Sequence, residues 1–118
     1  GGITLILKKA PGVPDIITGG GNTVAVRVPG HPVPLALIRG LGEPVCGTSA
    51  NLTGMPAGKS AGEVKEQLAN LVDFIIEEGP PPAGIESTIV DATGNIPFVI
   101  REGALSRAEI FRVLKGER

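Results

Sequence analysis

The chain has 118 residues, about one domain in length, with a formal net charge of −1, and the near balance of charges argues against a general polyanion binder. Its three Phe residues are the whole aromatic content, which argues against a platform that stacks on bases. The single cysteine, Cys46, excludes an intrachain disulfide framework, and no apolar run is long enough to predict a membrane span, so we expect a cytoplasmic protein.

The first residues, "GGITLIL", predict that the sequence opens inside a β-strand. The one methionine is Met55, so no initiator methionine precedes this strand. We therefore interpret residues 1–118 as one domain that is the rear part of a longer one, with its N-terminal portion absent. If these residues are the whole molecule, we expect a folded remnant with little or no synthetic activity.

Strand-like and helix-like segments alternate along the chain. The predicted strands are residues 3–7 ("ITLIL"), 23–28 ("TVAVRV"), 44–48 ("PVCGT"), 74–79 ("FIIEEG"), 86–91 ("ESTIVD") and 97–101 ("PFVIR"), of which the last two form a hairpin. The predicted helices are residues 31–42, a segment capped by Ser60 with Glu63, and a segment capped by Ser106 with Glu109. Residues 13–22 and the proline-rich residues 80–83 are predicted loops. This order predicts an α/β fold with a mixed, twisted open sheet and flanking helices.

The segment "TVAVRV" has two different faces. Residues 24, 26 and 28 are valines, and their alternation predicts that they face the core. The opposite face carries Thr23, Ala25 and Arg27, two small residues and one guanidinium. That face suits a wall against which a ligand lies.

Two arginines, Arg27 and Arg101, each end an apolar, alternating strand. A guanidinium on a sheet face needs an anionic partner, because it cannot lose its charge. One alternative is an internal ion pair with Glu77, Glu86 or Asp91. The other is recognition of a carboxylate or phosphate on a ligand.

Small polar residues collect at the strand–loop junctions "GTSAN" and "EST". Ser49, Asn51 and Ser87 lie there, and ligands of α/β sheets gather at the carboxyl ends of strands. The alternative for Asn51 or Thr53 is an ordinary helix cap. Together with the arginines, these residues predict a cleft for a ligand that carries phosphate or carboxylate.

The sole histidine, His31, and the sole cysteine, Cys46, suggest little chemistry by themselves. For His31 we expect a surface or capping role, since the sequence offers no plausible set of zinc ligands. Cys46 is expected to be a small buried hydrophobe. The alternative is a thiol nucleophile with His31 as its base.

Five motifs in order give the chain a family resemblance. "ITLIL", "TVAVRVPGHP", "TSANLTGMPA", "GIESTIVD" and "IREGALS" resemble the YrdC-like family, the threonylcarbamoyl-AMP synthases, over essentially all 118 residues. The resemblance covers the rear part of that family's domain. The Lys-x-Arg segment with which the family grips ATP phosphates has no counterpart in this sequence.

The resemblance implies a nucleotidyltransferase that converts L-threonine, bicarbonate and ATP into threonylcarbamoyl-AMP and pyrophosphate, with Mg²⁺ bridging phosphate oxygens. It implies that ATP contacts Thr23, Ser49, Asn51 and Arg101, and that threonine contacts Arg27, Ser87 and the backbone around Gly47. It implies no covalent nucleophile and no protein-held metal. Ala57 stands where the family often has a serine, which leaves one hydroxyl contact to the nucleotide in doubt.

The same resemblance leaves the partners and two alternative functions open. The product would serve threonylcarbamoyl modification of tRNA, so tRNA or tRNA-modification proteins are candidate partners. One alternative is a carbamoyl-transfer domain of the hydrogenase-maturation type. The other is a non-catalytic module that binds double-stranded RNA or tRNA.

Overall fold

The computed structural model describes residues 1–80 and 84–116. Its elements are β1 (Ile3–Lys8), α1 (Asp15–Thr18), β2 (Thr23–Val26), α2 (Pro32–Leu41), α3 (Ala61–Leu68), β3 (Thr88–Asp91), β4 (Phe98–Arg101) and α4 (Arg107–Leu114). The last three residues of the predicted proline-rich loop, 81–83, lie outside the described part of the chain. No helix in that part is long and apolar enough to cross a bilayer.

The sequence-based elements are confirmed in part. The strands β1 to β4 and the helices α2 to α4 form where predicted, but the predicted strands at residues 44–48 and 74–79 are wrong, because neither segment pairs with another strand. The segment 13–22 is also more than a loop. It contains α1, a single turn that begins after Pro14 and ends at Gly19 in the left-handed conformation.

The four strands form one mixed sheet in the order β2-β1-β3-β4. Strand β1 is central: it pairs antiparallel with β2 and parallel with β3, while β3 and β4 form the predicted antiparallel hairpin. The fold is therefore α/β with a mixed open sheet and helices, as predicted. A bulge between Ile89 and Val90 interrupts the β3–β4 ladder and brings Arg101 opposite Ile89.

The buried core is formed by β3, β4 and α4. Val90, Val99 and Ile110 are the buried apolar residues among those that the structure describes, with Leu5 and Leu105 packed beside them. The predicted core position of the β2 valines is wrong, because Val26 is 41% and Val28 71% exposed and Val24 is only partly buried. Strand β2 is an edge strand, and the buried residue of α4 packs against β3 and β4 instead.

The helix caps follow the predicted chemistry with one local change. The Ser106 hydroxyl accepts from the Glu109 amide, and the Glu109 carboxylate accepts from the Ser106 amide, which makes a complete capping box. At α3, the Ser60 hydroxyl accepts from the Glu63 amide, but the Glu63 carboxylate accepts from the amide of Lys59. This second box is shifted by one residue.

The chain divides into two compact units, Gly1–Gly30 with Ile85–Arg118 and His31–Gly84. The first unit contains the whole sheet with α1 and α4. The second contains α2, α3 and the segments around them. Helix α2 begins after His31, has proline at its first turn and ends at Gly42 in the left-handed conformation, as its sequence predicts.

Candidate functional site

The candidate site residues of the first unit lie along one line of sheet positions. Leu5 pairs with Val26 in the β1–β2 ladder, so continuing this register by one residue sets Arg27 opposite Thr4. The two segments stay adjacent beyond the paired residues, since the backbones of Gly1 and Gly30 approach so closely that a Cβ on Gly1 would lie 3.2 Å from the Gly30 Cα.

Thr4 in turn pairs with Ile89 on β3, and Ile89 pairs with Arg101 on β4. We call these four positions, Arg27, Thr4, Ile89 and Arg101, the cross-strand row. Residues that pair across strands share a face of the sheet. Three strand spacings of about 4.8 Å put the Cα atoms of the two arginines about 14 Å apart.

Arg27 lies directly after β2 and is exposed. Its Nε donates a hydrogen bond to the carbonyl oxygen of Gly1 at 2.8 Å. Within residues 1–80 and 84–116, no carboxylate lies within ion-pair distance of it. The internal ion pair, one of the two alternatives for the Arg27 guanidinium, is therefore not formed. Its two terminal nitrogens remain available to bind an anion.

Ser87 lies just before β3 and is 6% exposed. Its Oγ lies 2.7 Å from Oγ1 of Thr4, at hydrogen-bond distance. The next residue, Thr88, is fully buried, and its hydroxyl accepts from the amides of Gly103 and Leu105. The segment that carries Ser87 is thus fixed against both its neighbouring strand and the loop after β4.

Arg101 ends β4 and is half-buried. Its Nη2 donates to the carbonyl oxygen of Ser87 at 2.9 Å, and its Nη1 pairs with the Glu86 carboxylate at 2.8 Å. For Arg101 the internal ion pair is therefore formed, and with Glu86. The carboxylate of Glu77 pairs with Lys65 instead.

The third candidate carboxylate for Arg101 is that of Asp91. This carboxylate accepts hydrogen bonds from the side chain and the amide of Thr93, at 2.6 and 2.8 Å. These bonds, the side-chain one first, lower the pKa of Asp91. Asp91 thus shapes the β3–β4 turn.

Thr23 begins β2 and is exposed. It shares the sheet face of Arg27, but it pairs with Lys8 at the far end of the strand. Arg27 lies four strand positions further along the chain, a distance of about 13 Å. Thr23 therefore lies on the predicted face but outside the cross-strand row.

The second unit holds the remaining predicted residues. Gly47 and Ser49 are exposed in the segment between α2 and α3. Asn51 caps no helix: its Nδ2 donates to the carbonyl oxygens of Leu52 and Met55, both at 2.9 Å. Its Oδ1 is buried and accepts nothing from the described residues. Asn51 therefore organises its own loop.

His31 and Cys46 also lie in the second unit. Nδ1 of His31 accepts from the amide of Val33 at 3.2 Å, the predicted capping role, and Nε2 lies 2.8 Å from the carbonyl oxygen of Pro80. Both ring nitrogens are engaged, which leaves neither to activate a thiol. Cys46 is exposed, so the expectation of a buried cysteine is wrong.

No three His, Cys, Asp or Glu side chains of the described residues are grouped so that they could hold a metal ion. Oxygen ligands from carboxylates are what Mg²⁺ takes from proteins. Where Mg²⁺ binds together with a nucleotide, one or two carboxylates and the phosphates hold it, which does not require such a group.

The sequence model of the Sua5/YciO/YrdC family, described as "Telomere recombination", matches residues 1–103. The chain belongs to this family. Among curated members, the threonylcarbamoyl-AMP synthase of Pyrococcus abyssi is 41% identical over 114 residues, which cover 97% of this chain and 34% of the relative. That of Bacillus subtilis is 38% identical over 115 residues, which cover 97% and 33%.

Solved structures of the family superpose on the chain. The crystal structure of Pyrococcus abyssi Sua5 complexed with L-threonine has a TM-score of 0.89 at 41% identity, covering all of this chain and 35% of that one. Escherichia coli YciO has a TM-score of 0.78 at 35% identity, covering 90% and 52%. The chain thus spans about a third of the first two relatives.

Sequence reasoning missed two residues of the site. In the sequence, Thr4 is part of an apolar strand, although it is the one polar residue of "ITLIL" and lies on the opposite face from Ile3 and Leu5, which could have singled it out. Glu86 is one of three candidate partners for Arg101 in the sequence. Its position immediately before Ser87 carries no sequence signal that would have selected it.

Proposed function

We propose that this chain, as the rear part of one YrdC-like domain, supplies threonine and nucleotide contacts of a threonylcarbamoyl-AMP synthase. The observation that supports this proposal most directly is the cross-strand row. An arginine lies at each end of the row, and between them lies Thr4, whose hydroxyl is at hydrogen-bond distance from that of Ser87. Its 41% identical relative of that name and the relative solved with L-threonine support the choice of substrate.

Arg27 is the proposed anchor for the threonine carboxylate. Its Nε is held by the carbonyl oxygen of Gly1, so the guanidinium plane is fixed before a ligand arrives. A guanidinium held in place, with both terminal nitrogens available, suits bidentate binding of a carboxylate. The neighbouring small residue Ala25 leaves room above the sheet. Ser87 is the other threonine contact proposed in the first unit, and the backbone at Gly47 is the one proposed in the second unit.

Arg101 is the proposed anchor for ATP phosphates. Its side chain is 41% exposed and that of Glu86 is 76% exposed, so the pair lies where solvent weakens it. A multiply charged phosphate can compete for such an arginine. Thr23 is the other nucleotide contact proposed in the first unit, and Ser49 and Asn51 are those proposed in the second unit. The buried Oδ1 of Asn51, which accepts nothing from the described residues, is an acceptor that a nucleotide amino group could satisfy.

The proposed reaction needs no activated side chain. The threonine amine combines with bicarbonate to give a carbamate and water. A carbamate oxygen then attacks the α-phosphorus of ATP, forming the new P–O bond as the bond to pyrophosphate breaks. The separation of about 14 Å between the arginines suits this chemistry, because the carboxylate and the phosphates belong to different reactants. Catalysis would then rest on alignment and on charge neutralisation.

The test is titration of the 118-residue chain with L-threonine and with ATP by calorimetry. Arg27→Ala should weaken threonine binding about 10- to 100-fold, the range for hydrogen bonds to a charged group. The matched control is Arg39→Ala in the last turn of α2, which removes the same charge away from the sheet. No threonine binding by the unmodified chain, or equal affinities for the two variants, would contradict the proposal.

Two further measurements separate the alternative functions. Turnover is measured as threonine-dependent release of pyrophosphate, whereas activity with carbamoyl phosphate and no threonine would favour a carbamoyl-transfer domain. A salt titration of tRNA affinity tests the RNA-binding alternative. A steep loss of affinity with salt would favour that alternative, and weak binding with a shallow slope would count against it.

A further inference from the structure

Thr4 lies between the two side chains proposed to hold threonine. The β1–β2 register sets it opposite Arg27 on one side, and its Oγ1 lies 2.7 Å from Oγ of Ser87 on the other. We propose that Thr4 is a positioning residue for the threonine substrate, acting through Ser87. This inference rests on the proposed function and names a residue that the resemblance did not assign.

The count of protons in the hydroxyl pair supports this role. Two hydroxyls carry two protons, and one hydrogen bond between them uses one. Among the described residues, neither Thr4 nor Ser87 has another side-chain hydrogen-bond partner for its hydroxyl. One donor therefore remains for an acceptor outside the pair.

Which of the two hydroxyls donates within the pair determines which one keeps a free proton. When Thr4 donates to Ser87, the Ser87 proton is free to bind a carboxylate or hydroxyl oxygen of the ligand. An anionic ligand oxygen favours this direction, because it attracts the free proton and the two bonds then strengthen one another. With Ser87 only 6% exposed, water competes little for that proton.

A purely structural role for the pair, fastening β1 to β3, accounts for it less well. The amide of Thr88 already donates to the carbonyl oxygen of Gly2 at 2.9 Å, and four further residue pairs continue this parallel ladder. The register is therefore fixed by backbone bonds. Removing the Thr4 hydroxyl should leave the fold in place while it releases Ser87.

The experiment compares Thr4→Val and Thr4→Ser with the unmodified chain in calorimetric titrations with L-threonine and, separately, with ATP. The valine variant should bind threonine about 5- to 20-fold more weakly, the range for one hydrogen bond near a charged group. Thr4→Ser should restore threonine affinity. ATP affinity should stay unchanged in both variants. The urea midpoint should fall slightly in Thr4→Val, because the buried Ser87 hydroxyl loses this partner, and should stay unchanged in Thr4→Ser. Threonine affinity should stay unchanged in Thr18→Val, a hydroxyl control in α1.

Each contrary result has its own meaning. If Thr4→Val binds threonine like the unmodified chain while Arg27→Ala loses it, the role of Thr4 is overturned and the proposed function stands. If threonine and ATP affinity fall together with the urea midpoint, the hydroxyl only fastens the sheet, and the inference is overturned. If the unmodified chain binds no threonine, the proposed function fails and this inference with it.

Discussion

Arg101 donates a hydrogen bond from Nη2 to the carbonyl oxygen of Ser87 at 2.9 Å. The residue proposed to bind phosphate therefore touches the backbone of a residue proposed to bind threonine. Since the Ser87 hydroxyl is held by Thr4, both the side chain and the carbonyl of Ser87 are fixed. Movement of Arg101 toward a phosphate would release this carbonyl, and through it the two proposed ligand contacts would affect one another.

Glu86→Gln should tighten ATP binding to this chain. Its carboxylate pairs with Nη1 of Arg101 at 2.8 Å and so competes with a phosphate for the same guanidinium. Because both side chains are substantially exposed, the gain should be about two- to fivefold in the dissociation constant. Calorimetric titration with ATP measures it.

The matched control for Glu86→Gln is Glu102→Gln. Glu102 lies 3.7 Å from Arg107 in another exposed pair, and its substitution changes the net charge equally. Equal tightening in both variants would mean that net charge alone is responsible. Unchanged affinity in Glu86→Gln would mean that Arg101 does not bind the phosphates.

Gly103→Ala should destabilise the protein and weaken threonine binding. A Cβ at this position would lie 2.3 Å from the carbonyl oxygen of Glu86 and 2.8 Å from that of Ser87, so the backbone of both residues would have to shift. Overpacking against backbone predicts a loss of at least about 2 kcal/mol in the free energy of unfolding. Urea denaturation and a threonine titration measure the two effects.

Gly94→Ala is the control for that substitution. Gly94 lies in the β3–β4 turn, where a Cβ would have nothing within 4 Å of it, and its φ is not positive. Its free energy of unfolding should change by no more than about 0.5 kcal/mol. Similar losses in the two glycine variants would show that the packing against Glu86 and Ser87 is not the cause.

The sequence predicted those elements whose signals are local. The capping boxes at Ser60 and Ser106 and the proline and glycine at the ends of α2 specify helices through contacts within a few residues. Strand pairing is not local. Residues 44–48 and 74–79 contain apolar runs that resemble strands, yet no strand lies beside them, and periodicity cannot reveal the missing neighbour.

The same distinction applies to the candidate site. Alternation along β2 was enough to predict that Thr23 and Arg27 share a face. The cross-strand row depends on the register of three ladders, which bring together residues as distant in sequence as Thr4 and Ser87. The choice of Glu86 over Asp91 as partner of Arg101 depends on the Thr93 bonds that occupy Asp91. Neither relationship can be predicted from a single sequence motif.

Thr88→Val should lower the free energy of unfolding by about 2–4 kcal/mol, because valine has nearly the same shape but leaves buried backbone groups without partners. The Thr88 side chain is fully buried, donates to the carbonyl oxygen of Leu105, and accepts from the amides of Gly103 and Leu105. Thr88→Ser keeps the hydroxyl and should lose less. Equal losses in urea denaturation would mean that the buried methyl group of Thr88 contributes as much as its hydroxyl.

The capping box of α4 should make stability depend on acid pH. Hydrogen bonds from the Ser106 amide and then its hydroxyl, with the charge of Arg112, lower the pKa of Glu109 in the folded chain. A carboxylate with a lowered folded pKa stabilises the fold above its ordinary pKa of about 4.3, and this stabilisation disappears as the pH falls through the folded value. Glu109→Ala should therefore have a lower melting temperature than the unmodified chain at neutral pH, and the difference should shrink as the solution is acidified below that ordinary pKa.

The control is Glu109→Gln, which keeps an acceptor without a titrating charge. The difference in melting temperature between Glu109→Gln and Glu109→Ala should therefore stay constant with pH. If the difference between the unmodified chain and Glu109→Ala is constant as well, the charge of Glu109 contributes nothing to stability.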